Sequence, residues 1–221
     1  MENINNFIEQ TNLRPILKDK DIDKLVKEAI DYNLFGICLP PFWVRKAHRE
    51  IGNSGVQLIT VIGFPLGYNM TETKLEEMRK AIDDGVNELD VVMNVSAFKS
   101  GMSWVKIEAA KCSKLAHQND CLIKVIIETA YLDAEEIEKA CVMLSDAGVD
   151  FVKTSTGFAP SGASVEDVSL MRKALPSAVR IKASGGIRTH EDAVAMIRAG
   201  ADRIGTSSGI QIIKTVNNNK K

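Results

Sequence analysis

Short apolar runs alternate with longer amphipathic stretches along the whole chain. A near-continuous apolar run such as residues 34–39 is typical of a parallel strand covered on both faces, whereas residues 19–32 place their apolar side chains on one helical stripe. The predicted strands are 7–13, 34–39, 56–62, 87–94, 122–128, 150–155, 179–184 and 201–205. The predicted helices are 19–32, 42–51, 71–84, 103–118, 133–147, 165–174, 189–199 and a short one at the C-terminal end.

Eight units of a strand followed by a helix fill the chain, with no long linker and no change in composition. Eight such units predict an α/β fold of the (β/α)8 TIM-barrel type, formed as a single domain over residues 1–221. A doubly wound open sheet is the alternative, because the first and last units have the weakest patterns. The polar residues 215–221 predict a disordered tail.

The composition of the chain gives no sign of a nucleic-acid-binding or membrane protein. The chain has 221 residues, 45% of them hydrophobic and 26% charged, and a net charge of -1 gives no reason to expect nucleic acid or a membrane as a partner. Its four cysteines show no metal-ligand spacing and indicate reduced thiols, and the N-terminus has no leader pattern. We therefore expect a cytoplasmic protein.

Two lysines lie where predicted strands become loops. Lys153 is in Val149-Asp-Phe-Val-Lys-Thr-Ser-Thr-Gly157, and Lys182 is in Val179-Arg-Ile-Lys-Ala-Ser-Gly-Gly186. Each could be a solvated strand end or half of a structural ion pair. Two lysines in the same setting instead favour chemistry, because burial and a neighbouring cation both help an ammonium to lose its proton. A neutral amine is the form that makes a Schiff base with a carbonyl substrate.

A carboxylate lies in the middle of the fourth predicted strand. Asp90 shares a polar face with Glu88, and the apolar residues that follow it argue against a solvated edge strand. We therefore predict a functional role for Asp90. Lys124, on the next strand, needs a counter-charge and is predicted to be a structural partner of Glu88 or Asp90.

Glycine-rich loops follow the seventh and eighth strands, where this barrel commonly binds phosphate. They are Ser184-Gly185-Gly186 and Gly205-Thr206-Ser207-Ser208-Gly209. Glycine lets backbone N–H groups approach an anion, and serine adds hydroxyl donors. The three histidines fall on predicted helices, so no metal site is expected, and no nucleotide-binding loop indicates a cofactor.

Five motifs together resemble deoxyribose-phosphate aldolase, a family of class I Schiff-base aldolases, in the expected order between Cys38 and Gly209. They are Glu88-Leu-Asp-Val-Val-Met-Asn94, Lys124-Val-Ile-Ile-Glu-Thr129, Phe151-Val-Lys-Thr-Ser-Thr-Gly157, Lys182-Ala-Ser-Gly-Gly-Ile-Arg-Thr189 and Arg203-Ile-Gly-Thr-Ser-Ser-Gly209. The resemblance implies reversible cleavage of 2-deoxy-D-ribose 5-phosphate to D-glyceraldehyde 3-phosphate and acetaldehyde. It implies that Lys153 forms the Schiff base. Lys182 would ease the loss of its proton and take part in proton transfer, and Asp90 would donate and accept protons.

The resemblance also assigns the phosphate contacts and the assembly. The implied phosphate contacts are Gly157, Gly185, Gly186, Ser207 and Ser208. The expected partners are a small phosphorylated sugar and further copies of the chain, as a homodimer or homotetramer.

Three positions depart from the family pattern. Many members have Asp-His-Thr-Leu where this chain has Glu9-Gln-Thr-Asn12, which affects any substrate contact from that strand. Phe158 replaces a lysine of some members, which weakens an expected phosphate contact. The tail lacks the tyrosine that assists proton transfer in some longer members.

Two other functions remain open from the sequence. One is a different Schiff-base aldolase or a transaldolase acting on another sugar phosphate. The other is a catalytically silent barrel kept as a binding or scaffold protein. The presence of both lysines and the carboxylate argues against the second, because a relaxed site would lose at least one costly buried charge.

Overall fold

Eight parallel strands close into a barrel, and each strand pairs with its neighbours in chain order. A computed structural model describes residues 3–218, with side chains up to residue 215. The strands are β1 (Ile8–Thr11), β2 (Gly36–Leu39), β3 (Gln57–Ile62), β4 (Glu88–Val92), β5 (Leu122–Ile126), β6 (Phe151–Lys153), β7 (Arg180–Ser184) and β8 (Arg203–Thr206). Strand β1 pairs with both β2 and β8, so the sheet has no edge and the predicted TIM barrel is confirmed.

Nine α-helices lie within the described part of the chain. They are α1 (Asp19–Asp31), α2 (Val44–Ile51), α3 (Thr71–Asp83), α4 (Val95–Lys99), α5 (Trp104–His117), α6 (Ala134–Asp146), α7 (Val165–Ala174), α8 (His190–Ala199) and α9 (Gly209–Asn218). The sequence analysis did not predict α4, since five residues are too few to show a helical period. Helix α9 includes residues 215–218 of the predicted tail, and residues 219–221 lie outside the described residues. No described helix is long and apolar enough to cross a bilayer.

The main apolar core lies between the barrel and its helices. Strand residues that point outward, such as Leu89, Val152 and Ile181, are buried there together with Ile22 and Leu25 of α1. Strand β2 is buried along its whole length and is a near-continuous apolar run in the sequence, whereas strands such as β4 carry ionisable residues at their inward positions. A second, much smaller apolar cluster lies apart from this core, at Cys38, Ile59 and Val61.

Strand register brings the ionisable residues of the strands together. Asp90 on β4 is directly beside Lys124 on β5, and Lys153 on β6 is directly beside Lys182 on β7. Side chains alternate across a strand, and each pair occupies equivalent positions on neighbouring strands. The pairing therefore fixes which charges meet inside the barrel.

A buried ion pair connects the helices around β3 and β4. Lys74 on α3 donates from Nζ to Glu108 Oε1 on α5 at 2.6 Å and to the carbonyl oxygen of Val92 at 2.9 Å. Thr71 Oγ1 donates to Glu108 Oε2 at 2.7 Å. The side chains of Lys74 and Glu108 are 0% and 5% exposed, so water cannot replace either partner.

We expect Lys74→Met to lower the free energy of unfolding by about 3 kcal/mol, because it leaves the Glu108 carboxylate buried without its cation. Denaturant unfolding followed by circular dichroism measures the change. The matched control is Lys27→Met, which breaks an ion pair on the surface of α1 with Asp31 and should change stability little. Equal effects of the two substitutions would show that the buried pair has no special structural role.

Candidate active site

Six ionisable side chains fill the lumen of the barrel. All are buried, and they come from five different strands. They are Glu9, Glu88, Asp90, Lys124, Lys153 and Lys182. Three ammonium groups face three carboxylates, so the formal charges of this lumen cluster cancel.

Asp90 lies at the centre of the lumen cluster. Its Oδ2 accepts hydrogen bonds from Lys153 Nζ at 2.8 Å and from Lys182 Nζ at 2.6 Å. Its Oδ1 lies 3.1 Å from Lys124 Nζ, an ion pair whose angles do not make a hydrogen bond. Burial alone would raise the pKa of Asp90, but the three lysines hold it well below its usual range. The three residues predicted to be catalytic are therefore in direct contact.

Lys182 is the firmly charged amine of the site. It donates to Asp90 and also to the Glu9 carboxylate. Burial lowers the pKa of Lys182, but Asp90 and Glu9 outweigh burial and leave the pKa above its ordinary value. Burial and cation repulsion alone would lower the pKa of this lysine, and that direction is wrong because the carboxylates of Asp90 and Glu9 contact its ammonium group.

Glu9 is a residue of the lumen cluster that was not predicted from the sequence to belong to it. It is fully buried on β1, contacts Lys182 and lies 3.7 Å from Lys124 Nζ. The charge balance could have indicated it. Three lysines were predicted to point inward but only two carboxylates, so a third carboxylate was needed to neutralise them. The departure at Glu9 therefore supplies a counter-charge inside the barrel.

Gln10, the next residue, acts at the rim of the cleft. Its Oε1 accepts a hydrogen bond from the backbone N–H of Gly209 at 2.9 Å, and its Nε2 donates to the carbonyl oxygen of Ser207 at 3.4 Å. The side chain therefore fastens the loop before α9 to the first strand. Both departures on β1 have structural partners.

Lys124 is held on the far side of Asp90. It makes ion pairs with Glu88, Asp90 and, more distantly, Glu9, and its Nζ lies 5.6 Å from the centre of the Phe151 ring. Burial lowers the pKa of Lys124, but the carboxylates raise it more. Its predicted role as a structural partner of Glu88 and Asp90 is consistent with these contacts.

A cleft of about 1040 Å³ opens above the lumen cluster, and Lys153 lies on its wall. The predicted phosphate-binding residues Gly157, Gly185, Gly186, Ser207 and Ser208 line the same cleft. The three glycines have φ of +84°, +87° and +80°, a left-handed conformation that suits glycine. A Cβ on Gly185 would lie 2.9 Å from the Cα of Gly162, so the loops approach too closely for a larger residue.

Several backbone N–H groups in the described part of these loops have no hydrogen-bond partner. Within residues 3–215, the N–H groups of Gly157, Gly185, Gly186 and Ser207 make no hydrogen bond to another residue. The N-terminus of α9 begins beside them at Gly209, and a helix N-terminus favours anions. This combination of groups can bind a phosphate dianion.

Phe158 follows Gly157 on the wall of the cleft. Its ring packs edge-on against Phe64, with the ring centres 5.2 Å apart. Phe64 belongs to the loop after β3, so the contact joins loops from different sides of the barrel mouth. The residue that replaces a lysine of some family members thus makes an apolar contact here.

The histidines and cysteines lie outside this chemistry. His48 and His117 are exposed and His190 is half-buried at the start of α8. Within the described residues, no group of three or more potential ligands is arranged to hold a metal ion. Cys38 lies near Lys182, and burial raises the pKa of its thiol to about 11.

The family model and the two relatives described next are all aldolases. The family model described as DeoC/LacD family aldolase matches residues 3–215. The chain is 49% identical over 215 residues to a deoxyribose-phosphate aldolase of Thermococcus gammatolerans, covering 96% of each protein. It is 46% identical over 212 residues to that of Bacillus subtilis, covering 96% of this chain and 95% of the relative.

Solved structures give the same result. An aldolase called QR15 superposes with a TM-score of 0.94 at 42% identity, covering 100% of this chain and 98% of the other. A tetrameric deoxyribose phosphate aldolase from Aeropyrum pernix superposes with a TM-score of 0.91 at 35% identity, covering 97% and 91% of the two chains.

We expect the stabilisation supplied by Asp90 to depend on pH. Because its folded-state pKa is depressed, the carboxylate stabilises the fold above its ordinary pKa of 3.8 and loses this effect as the pH falls toward the folded-state value. The difference in free energy of unfolding between wild type and Asp90→Asn should therefore be constant from pH 7 to about 5 and shrink below about 4.

Denaturant unfolding at a series of pH values between 7 and 3 measures this difference. Asp146→Asn is the control, since Asp146 is 57% exposed in a surface pair with Lys106. A difference for Asp90→Asn that stays the same down to pH 3 would contradict the assignment of Asp90 as a strongly acidic group.

Proposed function

The chain belongs to the DeoC/LacD family of aldolases, and from this premise we propose that it cleaves 2-deoxy-D-ribose 5-phosphate reversibly to D-glyceraldehyde 3-phosphate and acetaldehyde. One observation carries the proposal: a single oxygen, Asp90 Oδ2, accepts hydrogen bonds from both Lys153 and Lys182 beside a cleft that can bind an anion. A class I aldolase needs an amine nucleophile, a second charged group and a proton carrier at one point.

Lys153 is the nucleophile in this proposal. It is the one lysine of the lumen cluster that lines the cleft, whereas Lys124 and Lys182 lie deeper in the barrel. After its ammonium group gives up a proton through Asp90, the amine attacks the C1 aldehyde of the open-chain sugar, and loss of water gives the Schiff base. The cationic nitrogen then accepts electrons as the bond between C2 and C3 breaks.

Asp90 and Lys182 move the proton. Asp90 accepts the proton of the C3 hydroxyl during cleavage. The enamine left on Lys153 is later protonated at C2, and water then hydrolyses the resulting imine to release acetaldehyde and the free amine. A carboxylate whose pKa is held low by three lysines retains a proton poorly. Asp90 therefore exchanges protons with the charged Lys182, which donates to it at 2.6 Å: Lys182 supplies the proton for C2 through Asp90 and is restored by the proton taken from the C3 hydroxyl.

The phosphate group sets the orientation of the sugar. The unpartnered N–H groups of Gly157, Gly185, Gly186 and Ser207, with the Ser208 hydroxyl, bind the phosphate at the N-terminus of α9. Arg188 and Lys214 also line the cleft and add positive charge. Phosphate binding thus holds C1 near Lys153.

The rivals from the sequence analysis differ in substrate or in chemistry. A silent scaffold barrel is disfavoured because it would retain six buried charges with no use for them. A different Schiff-base aldolase would use the same amine on another sugar phosphate, so a substrate panel distinguishes it. No feature of the cleft favours a transaldolase over the proposed reaction.

Borohydride reduction tests the chemistry directly. With 2-deoxyribose 5-phosphate and borohydride, the wild type should gain a reduced adduct on the peptide that contains Lys153, detected by mass spectrometry. Lys153→Arg should form no adduct and lose activity by at least about 10³-fold, since an arginine cannot form the imine. Lys80→Arg, at a surface lysine that is 74% exposed, is the control and should form the adduct normally. An adduct elsewhere, or none in the wild type, would refute the proposal.

Assembly and location are the remaining parts of the proposal. Apolar side chains on the loops at one end of the barrel are strongly exposed, with Ile16, Phe42, Tyr68 and Met70 between 66% and 83%. Exposure of this kind supports association between copies of the chain, and the Aeropyrum pernix relative is described as tetrameric. The four free cysteines support a cytoplasmic location.

We expect light scattering during size-exclusion chromatography to give two or four times the mass of one chain. Phe42→Ser, at the most exposed of these apolar residues, should shift the distribution toward a smaller species. Surface substitution Lys27→Ser is the control. A wild-type monomer at micromolar concentration would refute this part of the proposal.

A further inference from the structure

Glu128 has an unusual backbone conformation in the loop just after β5. Its φ of 55° and ψ of 69° lie in the left-handed region. The other described non-glycine residues with positive φ are Asn3, Asn33 and Asp120, whose short side chains tolerate this region. A glutamate there is strained, and such strain persists where surrounding contacts enforce it.

The Glu128 carboxylate is buried and accepts hydrogen bonds from one residue, Thr156. Its Oε1 accepts from the backbone N–H of Thr156 at 3.0 Å, and its Oε2 accepts from Thr156 Oγ1. Glu128 is 4% exposed, and no described residue forms an ion pair with it. A buried carboxylate without a cation is costly, so its contacts with Thr156 are the evident reason for its position.

Thr156 links Glu128 to the wall of the cleft through a further hydrogen bond. The backbone N–H of Phe158 donates to Thr156 Oγ1 at 3.1 Å, which obliges the threonine hydroxyl hydrogen to point to Glu128. The N–H groups on both sides of Gly157 are therefore occupied. Within residues 3–215, the N–H of Gly157 itself has no partner, and Gly157 lines the cleft.

We propose that Glu128 is a positioning residue that holds the loop of residues 156–158 in the conformation that offers the Gly157 N–H to the substrate phosphate. This inference rests on the proposed function, because it assigns the phosphate to the cleft. Glu128 acts through Thr156 and touches no reacting atom. Its role is in binding the phosphate and orienting the sugar, and it takes no part in the bond cleavage.

Glu128→Gln tests the role with little change of shape. The glutamine oxygen still accepts from the Thr156 N–H, but its NH₂ faces a threonine hydroxyl that no longer has an acceptor. We expect the KM for 2-deoxyribose 5-phosphate and the Kd for inorganic phosphate to rise about tenfold, as for loss of a charged hydrogen bond. The kcat/KM for unphosphorylated 2-deoxyribose should change less than about twofold.

Variants at neighbouring threonines provide the controls. Thr156→Val should raise the same two constants as Glu128→Gln, and Thr156→Ser, which keeps the hydroxyl, should recover most of the affinity. Thr129→Val is the matched control, since Thr129 is equally buried but its hydroxyl has no partner among the described residues. It should leave phosphate affinity and both activities unchanged, and thermal melting checks that every variant is folded.

Two kinds of failure are distinguishable. If the wild type does not cleave 2-deoxyribose 5-phosphate, the proposed function fails, and calorimetric titration with inorganic phosphate still tests Glu128. The positioning role is refuted if Glu128→Gln binds phosphate as tightly as the wild type does. It is also refuted if the folded variant loses activity equally on 2-deoxyribose 5-phosphate and on 2-deoxyribose.

Discussion

Charge balance inside the barrel is the constraint on which the site depends. Burying one ammonium or carboxylate without a partner is prohibitively costly, yet the lumen holds three of each. The arrangement is stable because each lysine contacts at least one carboxylate and Asp90 contacts all three lysines. The same contacts hold Lys182 and Asp90 in their charged forms, so the interactions that permit burial also prepare the chemistry.

The barrel separates this polar network from its apolar core. Outward-facing strand residues pack on helices and provide the hydrophobic stabilisation, which leaves the inward positions free for function. The buried pair of Lys74 and Glu108 lies outside the barrel, where it joins α3 and α5 to the end of β4. The helical layer thus contributes to the position of the strand that carries Asp90.

Much of this organisation could be predicted from sequence, because strands and helices leave periodic patterns. Alternation marked Asp90 as a residue on a polar strand face, the order of the strands placed the glycine loops at the mouth, and the family resemblance grouped Lys153, Lys182 and Asp90 as one site. The five-residue helix α4 leaves no such pattern, and neither does the strained backbone of Glu128, since its cause is a threonine that is 28 residues away. Glu9 was missed for a different reason: a single acidic residue on a short strand resembles a surface position until the lumen charges are counted.

The pairing of Glu9 with Lys182 also has a consequence for folding. These two residues are 173 positions apart, and β1 completes the barrel only by joining β8. During synthesis, Glu9 leaves the ribosome long before its partner, so no earlier fragment of the chain can neutralise the whole lumen. Contacts of such long range are formed late and slow the folding of a domain. The lumen cluster is therefore complete only after β7 has been synthesised, and its charges can neutralise one another only when the first and seventh strands share one barrel.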